Sequence, residues 1–415
     1  MGNGESVEYQ SERNEGTAGA ESNAWDSPQF WRWTALGLGA IAFVKGIREP
    51  NAWSYTQAQF DYSVGFMRRG LFGTVVGRPL GLGQYEHFMV VSTGLLLLLF
   101  VVLALLARTS KIAERTPPGE LLAVYASSYS VTYLAHLNGY LDIPLALLCV
   151  APLFLRSTGW RLLAAVVCAT AGILIHEQFF FAFLPLLVVS VLFGAGTAQS
   201  EGQRRLAWTG GVALLLIGGS LVAYLGRHGS ITQAQADQLR AANSLKADRW
   251  LEPEVFRVLP RTPQENLAVM KSVWSRPTFW PAQVESLLFF FPSAAVLSWA
   301  TLLLLRHWMP GRYRWLYAGA AMATLAPLSL HLFGWDKSRW NELLCLNAFL
   351  MLLLVSRQFG GEPVRLPVSL RRACIVVMLL NMATGGGMLD NRHIRPFPFL
   401  QSPDDVHAEG SVVGP

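Results

Sequence analysis

Charge is scarce in this chain. Asp, Glu, Lys and Arg make up 14% of its 415 residues, where soluble globular domains carry about 25%. A deficit this large excludes a fold that shows most of its segments to water. Nucleotide-cradling motifs are missing too. There is no GxxxxGK(S/T) phosphate loop, no GxGxxG after a strand and no GxSxG elbow, which argues against an ATP-driven pump and against soluble nucleotide-sugar chemistry. Gly385-Gly386-Gly387 reads as a flexible helix end. The four cysteines, Cys149, Cys168, Cys345 and Cys374, have no CxxC spacing and lie inside apolar runs. They suggest packing residues rather than a disulfide framework or a metal site. No cleavable signal peptide is expected, because residues 1–30 are polar and acidic. Met1-Gly2-Asn3-Gly4-Glu5-Ser6 fits a myristoylation pattern. A spanning chain gains little from one acyl chain, however, and the stretch also reads as a disordered tail. No internal repeat is visible, which weighs mildly against transporter folds built from inverted repeats.

What the chain has in excess is apolar length. Hydrophobic residues reach 52% and mean hydropathy is +0.34. A span needs about 20 apolar residues. Runs at 31–47, 88–107, 120–136, 142–156, 162–177, 179–196, 206–226, 284–305, 314–333, 341–356 and 371–389 predict an all-α, polytopic bundle of about eleven spans. Several runs are short, and the pairs around Asn138 and His176 read equally as hairpins or broken helices. The resulting division is a cytoplasmic tail at 1–30, a transmembrane domain at 31–390 and an extracytoplasmic tail at 391–415. Two long connections stand out, an amphipathic one at 48–87 and a Pro-punctuated one at 227–283 with helical segments at 233–247 and 263–273.

The net charge of +6 and pI near 9.2 would point to nucleic acid in a soluble protein. Here the basic residues sit mostly between apolar runs, so they read as topology determinants and no nucleic-acid partner is expected. Arg108, Lys111, Arg115, Arg156, Arg161, Arg204, Arg205, Arg306, Arg312, Arg314, Arg357, Arg365, Arg371 and Arg372 fall in the even-numbered connections. The short turns at 137–141 and 176–178 have no Lys or Arg. The positive-inside rule then makes the even connections and the N-terminus cytoplasmic and the C-terminus extracytoplasmic. The basic long connections oppose this, but long translocated loops obey the rule less strictly.

The chemically capable residues fall in the odd connections. In Phe60-Asp61-Tyr62-Ser63-Val64-Gly65-Phe66-Met67-Arg68-Arg69-Gly70, Asp61 is a candidate general base, and Arg68 and Arg69 are candidate phosphate ligands. The bland reading is an interfacial helix whose arginines meet lipid head groups. Asp142 is either a site residue or the acid that begins the next helix. His176 and Glu177 read as an acid–base pair or an anchor for an acceptor. A metal site would need more ligands than these supply, and His136, His331 and His393 are the others that could approach. No cofactor is indicated, although a divalent metal stays possible. Asp336 and Arg339, three apart, read as a mutual ion pair or as Arg339 on a phosphate with Asp336 orienting it. Trp335 and Trp340 stand where an aromatic belt would.

An odd number of spans, a cytoplasmic N-terminus and an acid in a large amphipathic first outer loop resemble the GT-C class of membrane glycosyltransferases. The segments FDYSVGFMRRGLFG, HEQFFFAF and GWDKSRW also resemble patterns in bacterial multi-span proteins of surface polysaccharide assembly. GT-C enzymes often carry two neighbouring acids in the first outer loop, and Asp61 has no adjacent partner. The resemblance implies residence in the cytoplasmic membrane, a polyprenyl-phosphate-linked sugar as donor and an extracytoplasmic acceptor. It further implies Asp61 as base, Arg68, Arg69 or Arg339 on the donor phosphate, His176 and Glu177 lining the cavity, and the 227–283 loop as a cover. Competing readings are a polysaccharide polymerase or ligase, a lipid or anion transporter, and a non-catalytic membrane protein.

Overall fold

The computed structural model describes residues 27–110, 119–309, 314–334, 336–360, 364 and 366–384. Both terminal tails, the myristoylation pattern, the triple glycine, Trp335, Lys111, Arg115, Arg312, Arg365 and His393 lie outside the described residues.

The described residues form helices and no strand. In chain order these are α1 (Pro28–Gly46), α2 (Ala52–Ala58), α3 (Tyr85–Thr109), α4 (Gly119–Ser127), α5 (Tyr129–His136), α6 (Asp142–Val150), α7 (Thr158–Ile175), α8 (Gln178–Ala182) and α9 (Leu184–Gly196). They continue with α10 (Glu201–His228), α11 (Gln233–Ser244), α12 (Pro253–Arg257), α13 (Pro263–Trp274), α14 (Phe279–Trp308), α15 (Arg314–Leu325), α16 (Lys337–Phe359) and α17 (Val368–Ala383). The all-α expectation holds, and each of the eleven apolar runs is helical over most of its described length. Among the described residues five helices, α3, α7, α10, α14 and α16, are long and apolar enough to cross a membrane. Other runs are broken. Ser128 is extended (ψ 154°) between α4 and α5, His176 is extended between α7 and α8, and 3-10 turns follow α6 and α15. The two helical segments expected within 227–283 appear as α11 and α13, each opened by a Thr capping box, at Thr232 and Thr262.

Lateral position follows from burial. On α3, Leu96, Leu99, Leu103 and Leu106 form a buried stripe at three- and four-residue spacing, while Val90, Leu97, Leu98, Val101 and Leu105 stay exposed. Water would disfavour that much bare apolar surface, and a lipid surround removes the objection. Helix α16 is the opposite case. Its most apolar stretch is 83% buried, against 28% for α3 and α10, and it packs against α14, α15, α9 and α5. It also carries the buried polar residues Arg339, Asn341, Glu342 and Asn347. Asn347 shows how such a residue is accommodated, because its amide donates to the carbonyls of Ala182 and Ala323.

Hydrogen bonds sort the connections into two sets. At one end, Asn138 bonds the Arg48 carbonyl, Asn51 bonds Tyr140, Arg69 bonds Glu177, Gln178 bonds Asp142, and Arg339 bonds Asp142. At the other, Arg357 bonds Thr109 and the Phe154 carbonyl, Ser356 bonds the Ser110 carbonyl, and Gln358 bonds Thr197. Helix α3, 25 residues long, runs between them and sets their separation at roughly 37 Å. Buried Arg161 belongs to the second end, where it donates to the Leu155 and Ser190 carbonyls and to Gln358.

The connection after α1 departs from the expected interfacial segment. Helix α2 is mostly buried, as are Phe60, Met67 and Phe72. The 229–261 stretch folds over it. Asn243 donates to the Gln59 carbonyl at 2.9 Å, the Glu252 amide to Thr56 Oγ1 at 2.8 Å, and the Arg68 amide to the Gly229 carbonyl at 2.9 Å. The two long connections together make a folded cap over one end of the bundle.

Close approach makes the packing testable. A Cβ on Gly46 would meet the Thr132 carbonyl oxygen at 1.8 Å, whereas one on Gly94 would meet nothing within 4 Å. Gly46→Ala is therefore expected to destabilise the detergent-purified protein by about 1–3 kcal/mol, with Gly94→Ala neutral or mildly stabilising. Equal unfolding midpoints for the two variants would rule out the α1–α5 contact.

Candidate functional site

The network at the capped end is built outward from α16. Arg339 lies in its first turn and is 5% exposed. Its Nε donates to Asp142 Oδ2 at 3.0 Å, and Nη2 approaches the same oxygen at 2.8 Å. Nη1 donates to Asp336 Oδ2 at 2.8 Å, and Nη2 also donates to Gln178 Oε1 at 3.2 Å. The guanidinium lies over the Tyr140 ring, 5.0 Å from its centroid. In turn, Gln178 Nε2 donates to Asp142 Oδ1 at 2.7 Å. Asp142 begins α6 but its carboxylate makes no cap bond. It bonds Gln178 and Arg339 instead.

The chain of contacts continues through the turn between α7 and α8. The Gln178 amide donates to His176 Nδ1 at 3.2 Å, so Nδ1 holds a lone pair rather than a proton. Glu177 Oε2 lies 3.7 Å from that nitrogen. Arg69 grips Glu177 with a planar fork: Nε donates to both carboxylate oxygens, at 3.1 and 3.0 Å, and Nη2 bonds Oε1. Arg69 has φ 66°, alone among the described non-glycine residues in being positive. Such a conformation costs of order 1–3 kcal/mol and tends to occur at functional sites. It reverses the chain direction, so the adjacent arginines diverge.

Arg68 accordingly does not present a free fork for phosphate. Its Nη2 donates to the carbonyls of Val258 and Arg261 at 2.7 and 2.6 Å, tying the two long connections together. Asp61 is likewise not a free base. Its Oδ2 is ion-paired with Arg78 Nε at 2.7 Å, its Oδ1 accepts the Ser63 amide at 2.9 Å, and it is 2% exposed. Burial pushes the Asp61 carboxyl up, but bonds from Arg78 and Ser63 outweigh it and hold it below the ordinary value. Trp340 is 6% exposed with Arg339 over its ring, so it packs inside the protein and not in an aromatic belt.

His176, Gln178, Asp142, Asp336 and Arg339 thus join one hydrogen-bonded network, with the Arg69–Glu177 pair adjoining it through the chain neighbours of Glu177, while Asp61 and Arg68 lie in separate structural contacts. Sequence reasoning missed Gln178, Tyr140 and Asn51. Gln178 adjoins the His–Glu pair, but an uncharged amide beside three phenylalanines gives little signal. Among the described residues no group of three or more His, Cys, Asp or Glu is arranged to hold a metal ion. Next to Tyr140 and Pro144 a mostly apolar cavity, also lined by Phe72 and Phe88, has a volume of about 10 Å³, which is room for one water. Of the three acids at this site, Asp336 and Glu177 are the open ones, with side chains 44% and 25% exposed, and Asp142 is fully buried.

Two outcomes follow. Arg339→Met leaves Asp142 buried without its cation and is expected to cost about 3–5 kcal/mol, while Arg339→Met with Asp142→Leu recovers part of that loss in thermal unfolding. A double variant no more stable than the single one contradicts the pairing. Because the folded Asp61 carboxyl lies below its unfolded value, its contribution is complete above about pH 4 and is lost as pH falls through the folded value. Asp61→Asn should flatten the acid limb of a stability–pH curve, and an unchanged limb would count against the Arg78 pair. Comparison with known proteins finds no matching family model, no matching curated protein and no matching solved structure.

Proposed function

We propose that the chain is a polytopic integral membrane transferase of about eleven spans that moves a sugar from a polyprenyl-phosphate donor to an acceptor on the extracytoplasmic face. The observation that carries this reading is the meeting, at one end of an apolar bundle, of two arginine forks with Glu177, Asp142 and Asp336. A lipid-linked donor brings its phosphate laterally to the bilayer boundary, and a group there needs fixed cationic donors without a nucleotide loop. The basic residues at the opposite end, among them Arg156, Arg161, Arg204, Arg205 and Arg357, support a cytoplasmic side there under the positive-inside rule. The donor is already activated, so no nucleotide is needed at the outer face.

In this reading Arg69 is the phosphate ligand. Its fork is occupied by Glu177 in the free protein, and an incoming phosphate competes for it. Transfer of Arg69 from carboxylate to phosphate places the cation where charge develops on the leaving group and frees Glu177 to take the acceptor hydroxyl proton. Arg339 is held by Asp142 and Gln178 and presents its Asp336-facing edge to the open side. His176 orients Gln178. The cap of α11 and α12, fastened through Arg68, shields the site from water. Asp61, the base implied by the resemblance, serves instead to fix the loop that carries Arg69.

Membranes containing the protein, supplied with a polyprenyl-phosphate-linked sugar, should transfer it to an outer-face acceptor. Glu177→Gln and Arg69→Ala should each reduce turnover about 10²–10⁴-fold, with Asp61→Asn affecting yield and stability more than rate. Wild-type turnover in Glu177→Gln would remove Glu177 as base. Substrate flux into proteoliposomes without bond formation would replace the transferase by a transporter.

A further inference from the structure

Glu342 stands on α16 one turn beyond Arg339 and, among the described residues, belongs to no ion pair. Its side chain is fully buried, with residue exposure of 0%. Arg339 is already committed to Asp142 and Asp336. Glu342 Oε1 accepts the Ser130 hydroxyl at 3.1 Å, and Oε2 has no hydrogen-bond partner among the described residues. Two further buried hydroxyls, on Tyr125 and Ser128, also lack a formed hydrogen bond. Tyr125 is near enough to Glu342 and Ser130 to interact with both, and Ser128 faces Cys345, one turn further along α16.

The backbone explains the gathering. Ser128 is the extended residue at which α4 stops and α5 starts, so the break in the helical run lies two residues before Ser130, which donates to the carboxyl. Broken helices in membrane proteins recur where a small ion or polar group is held, because irregular backbone at that depth must line something polar. A carboxylate surrounded by apolar helices and lacking a cation is strongly unfavourable. One positive charge removes the penalty, and a divalent ion would leave a surplus. The five oxygens of these four residues are hard donors, matched to a hard cation rather than a soft one.

We propose that Glu342, Ser130, Ser128 and Tyr125 form a buried binding site for one monovalent cation, a sodium ion or a proton, that neutralises the Glu342 carboxylate. The charged and titratable groups facing it are Tyr125 from α4, Asp142 from α6, and Arg339 and Cys345 from α16. Occupancy sets the charge one helical turn from the Arg339–Asp142 pair. The site does not depend on the transferase reading, and its test reads binding rather than turnover.

The full chain, purified in detergent, is titrated with sodium chloride against choline chloride at constant ionic strength over a range of pH. Thermal unfolding and infrared difference spectra are recorded. For a sodium site, the midpoint rises with sodium at high pH, protons compete the effect away at low pH, and Ser130→Ala weakens the apparent sodium affinity at least tenfold. For a proton site, sodium has no effect and a neutral carboxylic acid carbonyl band appears, shifts in Ser130→Ala and vanishes in Glu342→Gln. Either pattern supports the site. Absence of both a sodium response and a Ser130-sensitive carboxylic acid band in the wild-type protein overturns it, even if Glu342→Gln fails to fold.

Discussion

An arginine buried at the head of the most enclosed helix has to be neutralised, and the way Arg339 is neutralised organises the capped end of the molecule. Its partners come from three connections: Asp142 from the turn before α6, Gln178 from the turn before α8, and Asp336 from the approach to α16. Each bond holds one helix end against another. In a low-dielectric setting such bonds are strong when complete and expensive when broken, so the helix termini are constrained together rather than left to loop flexibility. At the far end, Arg161 instead has its donors met by neutral acceptors, the Leu155 and Ser190 carbonyls and Gln358.

Apolar periodicity and length made the helical segments readable, because a membrane-type helix must satisfy its backbone internally and therefore announces itself as an apolar run. Arg69, Glu177, Asp142 and Arg339 were visible for a related reason, since charge between apolar runs is costly and rarely idle. What the pattern could not provide was pairing. Asp61 and Arg78 are 17 residues apart and meet only because the connection turns on itself. Arg68 and Arg69 look equivalent in the sequence, yet a positive φ sends one to Glu177 and the other to carbonyls near Arg261. Glu342 was hidden by its apolar neighbours, and its isolation is a property of α4 and α5 as much as of α16.

Broken runs carry more of the chemistry than continuous ones. Long helices such as α3 and α10 present apolar faces outward and contribute little polar matter to the interior. The interruptions at Ser128 and His176, and the turn at Asn138, bring hydroxyl, imidazole and amide groups to the ends and interior of the bundle. Short segments read from hydropathy as marginal spans are the places where polar groups can be afforded a partner.

The Arg68 contacts also constrain the order of assembly. Its Nη2 donates to carbonyls 190 to 193 residues further along the chain. During synthesis, the helices from α3 to α10 emerge before those acceptors exist, and Arg68 stays hydrated through that interval. The cap therefore closes late, after most of the bundle has been laid down, and contacts of such long sequence separation are slow to form. A chain stalled before residue 261 would hold its first connection unfastened, with Arg69 lacking the backbone brace that aims it at Glu177.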